Sequence, residues 1–180
     1  MTDPHPHAPP HNNLWAPWRM EYIDGLGAPE ADGCFLCRHA ENPNRDPENH
    51  VLLRGERVFA MLNRFPYTGG HMLVAPYEHA GRMAALDDAA LLETMHMLRD
   101  VQALLRHAIH AEGFNVGLNA GHCAGAGLPD HLHWHVVPRW SGDTNFMAVL
   151  DGVRVIPESL TSLRTKLLAA GKELGLPGRP

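Results

Sequence analysis

The chain has 180 residues, enough for one domain with a decorated end. Its 44% hydrophobic and 19% charged residues suit a globular protein with a buried core. A net charge of −5 excludes a broad basic face for nucleic acid or a membrane surface, while leaving room for a small anion pocket.

Residues 1–13, rich in Pro, His and Asn, are expected to form a disordered arm. They lack the basic start and apolar run of a secretory signal, and no later stretch reaches the roughly 18 apolar residues of a membrane span. A reducing cytoplasm is the expected setting. Trp15, Trp18, Met20, Tyr22 and Ile23 make an aromatic segment that needs a packing partner, and residues 24–33 read as loop. Cys34 and Cys37 are spaced for metal or redox chemistry before a structural disulfide. The stretch Asn42–Asn49, with Pro43 and Pro47, reads as another loop.

Val51–Arg54 and Val58–Leu62 are predicted strands joined at Gly55-Glu56 as a hairpin. A third strand is predicted over His71–Ala75. Residues 87–111 form the clearest helix, opened by Asp87 and Asp88, with Leu91, Met95, Leu98, Val101, Leu105 and Ile109 as its apolar stripe. Phe114–Leu118 is a strand, Asn119–Asp130 a glycine-rich loop, His131–Pro138 a strand, and 158–174 an amphipathic helix. The methionines Met83, Met95 and Met97 read as core or dimer packing, and His96, His107 and His110 as solvated. The order defines an α+β fold: antiparallel strands around one long helix, with a C-terminal helical tail.

Chemistry concentrates at His131-Leu132-His133-Trp134-His135. Alternate residues of a strand share a face, so the three imidazoles would project together while Leu132, Trp134 and Val136 enter the core. Imidazole is a nucleophile near neutral pH, because its free pKa of about 6.5 leaves it largely uncharged. To attack phosphorus, one ring nitrogen must be bare while the other donates its proton to a fixed acceptor. The glycines of the preceding loop allow backbone N–H groups to approach an anion. Cys123 in that loop reads as incidental. For zinc, the Cys-x-x-Cys pair needs two further ligands; a redox pair or two buried thiols are the other readings, the redox one weakened because the pair is not followed by an obvious helix in a βαβ unit.

These residues resemble the histidine triad superfamily of nucleotide hydrolases and transferases. The match includes the His-x-His-x-His run, Asn63, Gly70-His71-Met72-Leu73-Val74-Ala75-Pro76, the stretch from Asn115 to Gly127, and Pro138-Arg139. The resemblance implies a half-barrel antiparallel sheet and a homodimer, with a tetramer as the next assembly. It implies His133 as the nucleophile that becomes nucleotidylated, His135 on the α-phosphate, and His71 in the supporting network. Asn63 would hold the ribose hydroxyls, and Asn119 with Gly125 and Gly127 would line the phosphates. Similarity to zinc-bearing members adds His79 and His131 to Cys34 and Cys37 as ligands of a structural zinc. Residues 14–150 would be the catalytic domain and 151–180 a helical extension.

Gly127 departs from the commoner branches, which carry Gln four residues before the first triad histidine. Pro138–Phe146 and Leu14-Trp15-Ala16-Pro17-Trp18-Arg19 look instead like the bacterial branch that includes diadenosine tetraphosphate phosphorylases. The expectation is cleavage of a dinucleoside polyphosphate at an α-phosphate through nucleotidyl-His133, with phosphorolysis favoured over hydrolysis. Cleavage of a nucleoside phosphoramidate or adenylyl sulfate, or nucleotide binding without turnover, are the competing readings.

Overall fold

The structure, a computed structural model, describes residues 33–143 and 156–176. The arm at 1–13, the aromatic segment from Trp15 to Ile23 and the run 144–155, with Phe146, lie outside the described residues. Helix α1 (Phe35–Glu41) is followed by a 3-10 turn (Pro43–Arg45), α2 (Asp46–Asn49), β1 (Val51–Arg54), β2 (Val58–Leu62) and β3 (Met72–Pro76). A 3-10 turn (Met83–Ala85) then leads to the long helix α3 (Asp88–Ile109), β4 (Gly113–Leu118), β5 (Trp134–Arg139) and α4 (Leu160–Glu173). The strands form one open antiparallel sheet in the order β1-β2-β3-β5-β4. This is the α+β architecture expected from the sequence.

Strand alternation divides the core. Val58, Ala60, Leu62, Met72, Val74, Trp134 and Val136 face α3 and α4, joining Met97, Val101, Leu104, Leu105, Leu163 and Leu167. Phe59, Met61, Leu73 and Ala75 face the other way, onto Leu36 of α1. Leu73 pairs with His135, so His135 belongs to this second face. The C-terminal helix is therefore part of the main core rather than an appendage.

Local chemistry holds these elements. The Asp87 carboxylate caps α3 by accepting from the Ala90 N–H at 2.7 Å. The Glu93 carboxylate accepts from the backbone N–H groups of Glu56 and Arg57 at 2.7 and 3.0 Å, tying the β1–β2 hairpin to α3. Arg54 makes a two-pronged bond to Asp46 at 2.6 and 2.9 Å and donates to the carbonyls of His39 and Ala40, anchoring α1 and α2 to β1. Gly70, at φ +87°, enters β3 where a Cβ would lie 2.6 Å from the Ile109 side chain.

Four expectations need correction. Cys34–Cys37 opens helix α1, with Cys34 as its N-cap, and 42–49 holds a 3-10 turn and α2; Pro43 and Pro47 occupy first-turn positions, where a missing N–H costs nothing. The final strand starts at Trp134, not His131, because the backbone there is used elsewhere: Leu132 N–H donates to the Ala80 carbonyl at 2.7 Å. On α3, Met95 of the expected apolar stripe is 49% exposed, while Ala90, Thr94 and Met97 are buried. His107 is not simply solvated but bonds Glu173 of α4 at 2.6 Å.

Candidate active site and metal centre

Three histidines meet across the β3–β5 pair: His71 just ahead of β3, His133 just ahead of β5 and His135 within it. His71 is fully buried, His133 nearly so, and His135 half-buried. The rings of His133 and His135 lie 5.1 Å apart, as do those of His71 and His135.

Backbone groups determine which nitrogen of each ring carries the proton. The Tyr67 N–H, which can only donate, points at His71 Nδ1 at 3.1 Å. That leaves the proton of neutral His71 on Nε2, from which it donates to His135 Nδ1 at 3.0 Å. His135 must then carry its own proton on Nε2. At His133, Nδ1 lies 2.9 Å from the His131 carbonyl, an acceptor only, so Nδ1 holds the proton and Nε2 is bare. One ring therefore offers a lone pair and its neighbour an N–H, the arrangement needed to attack phosphorus while binding a phosphate oxygen.

Burial keeps the supporting rings neutral. Desolvation, followed by repulsion from His135 and His133, pushes His71 down to about 3. Desolvation and then His133 push His135 down to about 4. The protons of neutral His71 and His135 consequently keep their places across the physiological range.

Asn63 ends beside this group. Its N–H donates to the His71 carbonyl at 2.9 Å, its carboxamide oxygen accepts from the Phe65 N–H at 2.9 Å, and its Nδ2 lies 3.3 Å from His71 Nδ1. The amide is thus engaged in shaping the 63–70 loop. On the other flank, Leu118 pairs with Trp134, so the 119–127 loop leaves the sheet alongside His133. Asn119 Nδ2 donates to the Gly125 carbonyl at 3.3 Å, closing that loop. Gly125 has φ +82°, which favours glycine, whereas Gly127 has no such constraint and open space at its Cβ position.

His131 points away from the other two. Its Nε2 donates to the Pro76 carbonyl at 2.9 Å, freeing Nδ1 to face Cys34 Sγ at 3.1 Å and Cys37 Sγ at 3.5 Å. His79 Nδ1 lies 3.3 Å from Cys37 Sγ, and all four ligand atoms fall within 4.8 Å of one another. A tetrahedral zinc with bonds of about 2.0–2.3 Å has ligand–ligand edges of about 3.3–3.8 Å. The donor set and its spacing fit a four-coordinate metal with no open position. Burial and then the adjacent Cys34 push the Cys37 thiol up to about 11, as befits a pair of thiols gathered without a local cation; a metal ion would displace their protons.

The structure thus gathers His71, His133 and His135 into one network and Cys34, Cys37, His79 and His131 into another. Sequence reasoning missed two contributors, the Tyr67 N–H and the Pro76 carbonyl. Both are backbone groups, which residue type does not advertise.

Comparison with known proteins agrees with this geometry. Residues 44–142 match the HIT domain. The chain is 39% identical over 160 residues to an AP-4-A phosphorylase of Mycobacterium tuberculosis, covering 87% of this chain and 82% of the relative. It is 30% identical over 95 residues to an asymmetrical bis(5'-nucleosyl)-tetraphosphatase of Schizosaccharomyces pombe, covering 53% of this chain and 52% of that one. A zinc-bound histidine triad family protein from Mycobacterium smegmatis shares the fold, with a TM-score of 0.66 at 24% identity, covering 79% of this chain and 96% of the other. The chain belongs to the HIT domain family. Among the described residues, no helix is long and apolar enough to cross a membrane.

Proposed function

We propose that the protein cleaves dinucleoside polyphosphates, such as diadenosine tetraphosphate, at an α-phosphate. The observation that carries this reading is the bare Nε2 of His133 beside the protonated Nε2 of His135. His133 Nε2 attacks the α-phosphorus, the phosphorus–bridging-oxygen bond breaks, and ATP leaves with adenylyl bonded to His133. His135 donates to a non-bridging oxygen as charge develops there. His71 holds His135 in the donating tautomer, and Asn119 with the Gly125–Gly127 backbone lines the polyphosphate. Asn63 keeps a lone pair on its carboxamide oxygen for a ribose hydroxyl.

Inorganic phosphate is the favoured second nucleophile, giving ADP and regenerating the ring. Support comes from Gly127, whose open surroundings leave space at the site of the incoming group, and from the 39% identity to a relative named as a phosphorylase. Cys34, Cys37, His79 and His131 would hold a structural zinc, which contributes fold stability rather than chemistry. The working assembly is a cytoplasmic homodimer.

Incubation with diadenosine tetraphosphate, with and without phosphate, tests the reading. ADP and ATP formed only with phosphate support phosphorolysis. AMP and ATP formed regardless identify a hydrolase. Absence of both pairs overturns the dinucleotide assignment and moves the smaller adenylates forward.

A further inference from the structure

The 63–70 loop carries two aromatic side chains in solvent, Phe65 at 47% and Tyr67 at 53% exposure. Such exposure usually accompanies a mobile loop, yet this one is tied at several points. Its Phe65 N–H is held by Asn63, its Tyr67 N–H by His71, and Thr68 donates to the Pro138 carbonyl at 3.2 Å. An ordered backbone therefore holds the Tyr67 ring out.

One face of that ring is occupied. It lies 4.7 Å from the His71 ring and 6.0 Å from His135, the latter at an interplanar angle of 25°. Following ring neighbours outward gives the row His133, His135, Tyr67. Displacement at phosphorus drives the leaving oxygen away from the attacking nitrogen of His133, and His135, which donates to the same phosphate, has Tyr67 as its next ring neighbour. A leaving nucleotide extending along that row meets the open side of Tyr67.

We propose that Tyr67 is the stacking subsite for the base of the leaving nucleotide, so that this loop selects dinucleotides over mononucleotide substrates. The inference rests on the dinucleotide reading above. Stacking on an aromatic ring is tolerant of base identity, because every base has a π-face. The subsite therefore discriminates by the presence of a second base, not by its kind. A ring fixed in advance by its own backbone loses little freedom on binding.

Calorimetric binding to a His133→Asn protein compares diadenosine tetraphosphate with adenosine 5′-tetraphosphate, which lacks the second nucleoside. The expected result is roughly 5- to 100-fold tighter binding of the dinucleotide, the range of one stacked base. Tyr67→Leu, which keeps an apolar cover over the histidines, should bring the two ligands to parity, and Tyr67→Trp should retain the difference. Parity before any change at Tyr67, or a preference that survives Tyr67→Leu, overturns the proposal. A loss of affinity equal for both ligands also overturns it, assigning Tyr67 only to covering the histidine pair. Failure of the functional reading looks different: the protein then binds neither ligand and the wild type cleaves neither.

Discussion

The carbonyl of His131 accepts the Nδ1 proton of His133 at 2.9 Å while the His131 ring faces Cys34 and Cys37 at 3.1 and 3.5 Å. One residue thus belongs to both networks, by its backbone in one and its side chain in the other. Whatever fixes the His131 ring also fixes the acceptor that holds the His133 proton.

Removing a thiol should therefore be felt at both sites. Cys37→Ser is expected to lower bound zinc per chain by elemental analysis. The melting temperature should fall by about 5–10 °C, since each kcal/mol shifts a chain of this size by roughly 2–4 °C. Adenylylation of His133 should slow by about 10- to 100-fold, the usual cost of loosening a supporting shell. Unchanged zinc content would refute the ligand assignment.

His133→Asn should abolish turnover by at least about 1000-fold while nucleotide affinity stays within a few-fold. Acid quenching of the wild type during turnover should reveal a protein one adenylyl group heavier, and the variant should show none. A variant that still turns over places the nucleophile elsewhere.

Stability should fall with acid earlier than carboxylate chemistry alone would dictate. His71, His135 and His39 are held down to about 3, 4 and 4, burial being the first cause in each. Unfolded, each binds a proton near pH 6.5. Between those values the unfolded chain holds more protons than the native one, so stability rises with pH and declines on acidification from about 6.5 to 4. The slope is about 1.4 kcal/mol per pH unit for each group fully in its window. Urea titrations at pH 7, 6 and 5 would measure it, and His71→Phe should flatten it.

Two glycines should respond oppositely to alanine. Gly70→Ala meets a left-handed φ and the Ile109 and Leu105 side chains, and should cost about 1–3 kcal/mol in denaturant titrations. Gly127→Ala has open space and should stay within about 0.5 kcal/mol.

Because Gly127 tolerates a side chain, Gly127→Gln can be read functionally. An amide there is expected to position water in place of phosphate, shifting products from ADP towards AMP. An unchanged ADP-to-AMP ratio at fixed phosphate would show that the glycine does not select the acceptor.

The hairpin of β1 and β2 is legible to the residue because two short apolar runs flank the Gly55-Glu56 turn. Helix α1 was not: Cys34–Cys37 is too short to display a period, and the prolines that follow read as breaks although they occupy first turns. The extended start assigned to His131 failed for a different reason. Alternation of polar and apolar residues persists through 131–133, but the hydrogen bonds go to Ala80 and to side chains, which no local pattern reveals. His71 and His135, 64 positions apart, could be associated only through resemblance, and Tyr67 stood outside even that.

No carboxylate bonds to the rings of His71, His131, His133 or His135 among the described residues; their partners are carbonyls, a backbone N–H, the Asn63 amide, the Cys34 and Cys37 thiols and one another. A carbonyl oxygen can share a proton but cannot take it. In the proposed reaction, adenylylated His133 would consequently remain a cation, with Nδ1 still protonated. A cationic imidazole is a far better leaving group than a neutral one, so the bond to phosphorus stays energy-rich. The intermediate would then behave less as a product awaiting water than as an activated adenylyl group, ready for whichever acceptor the loop at Gly127 admits.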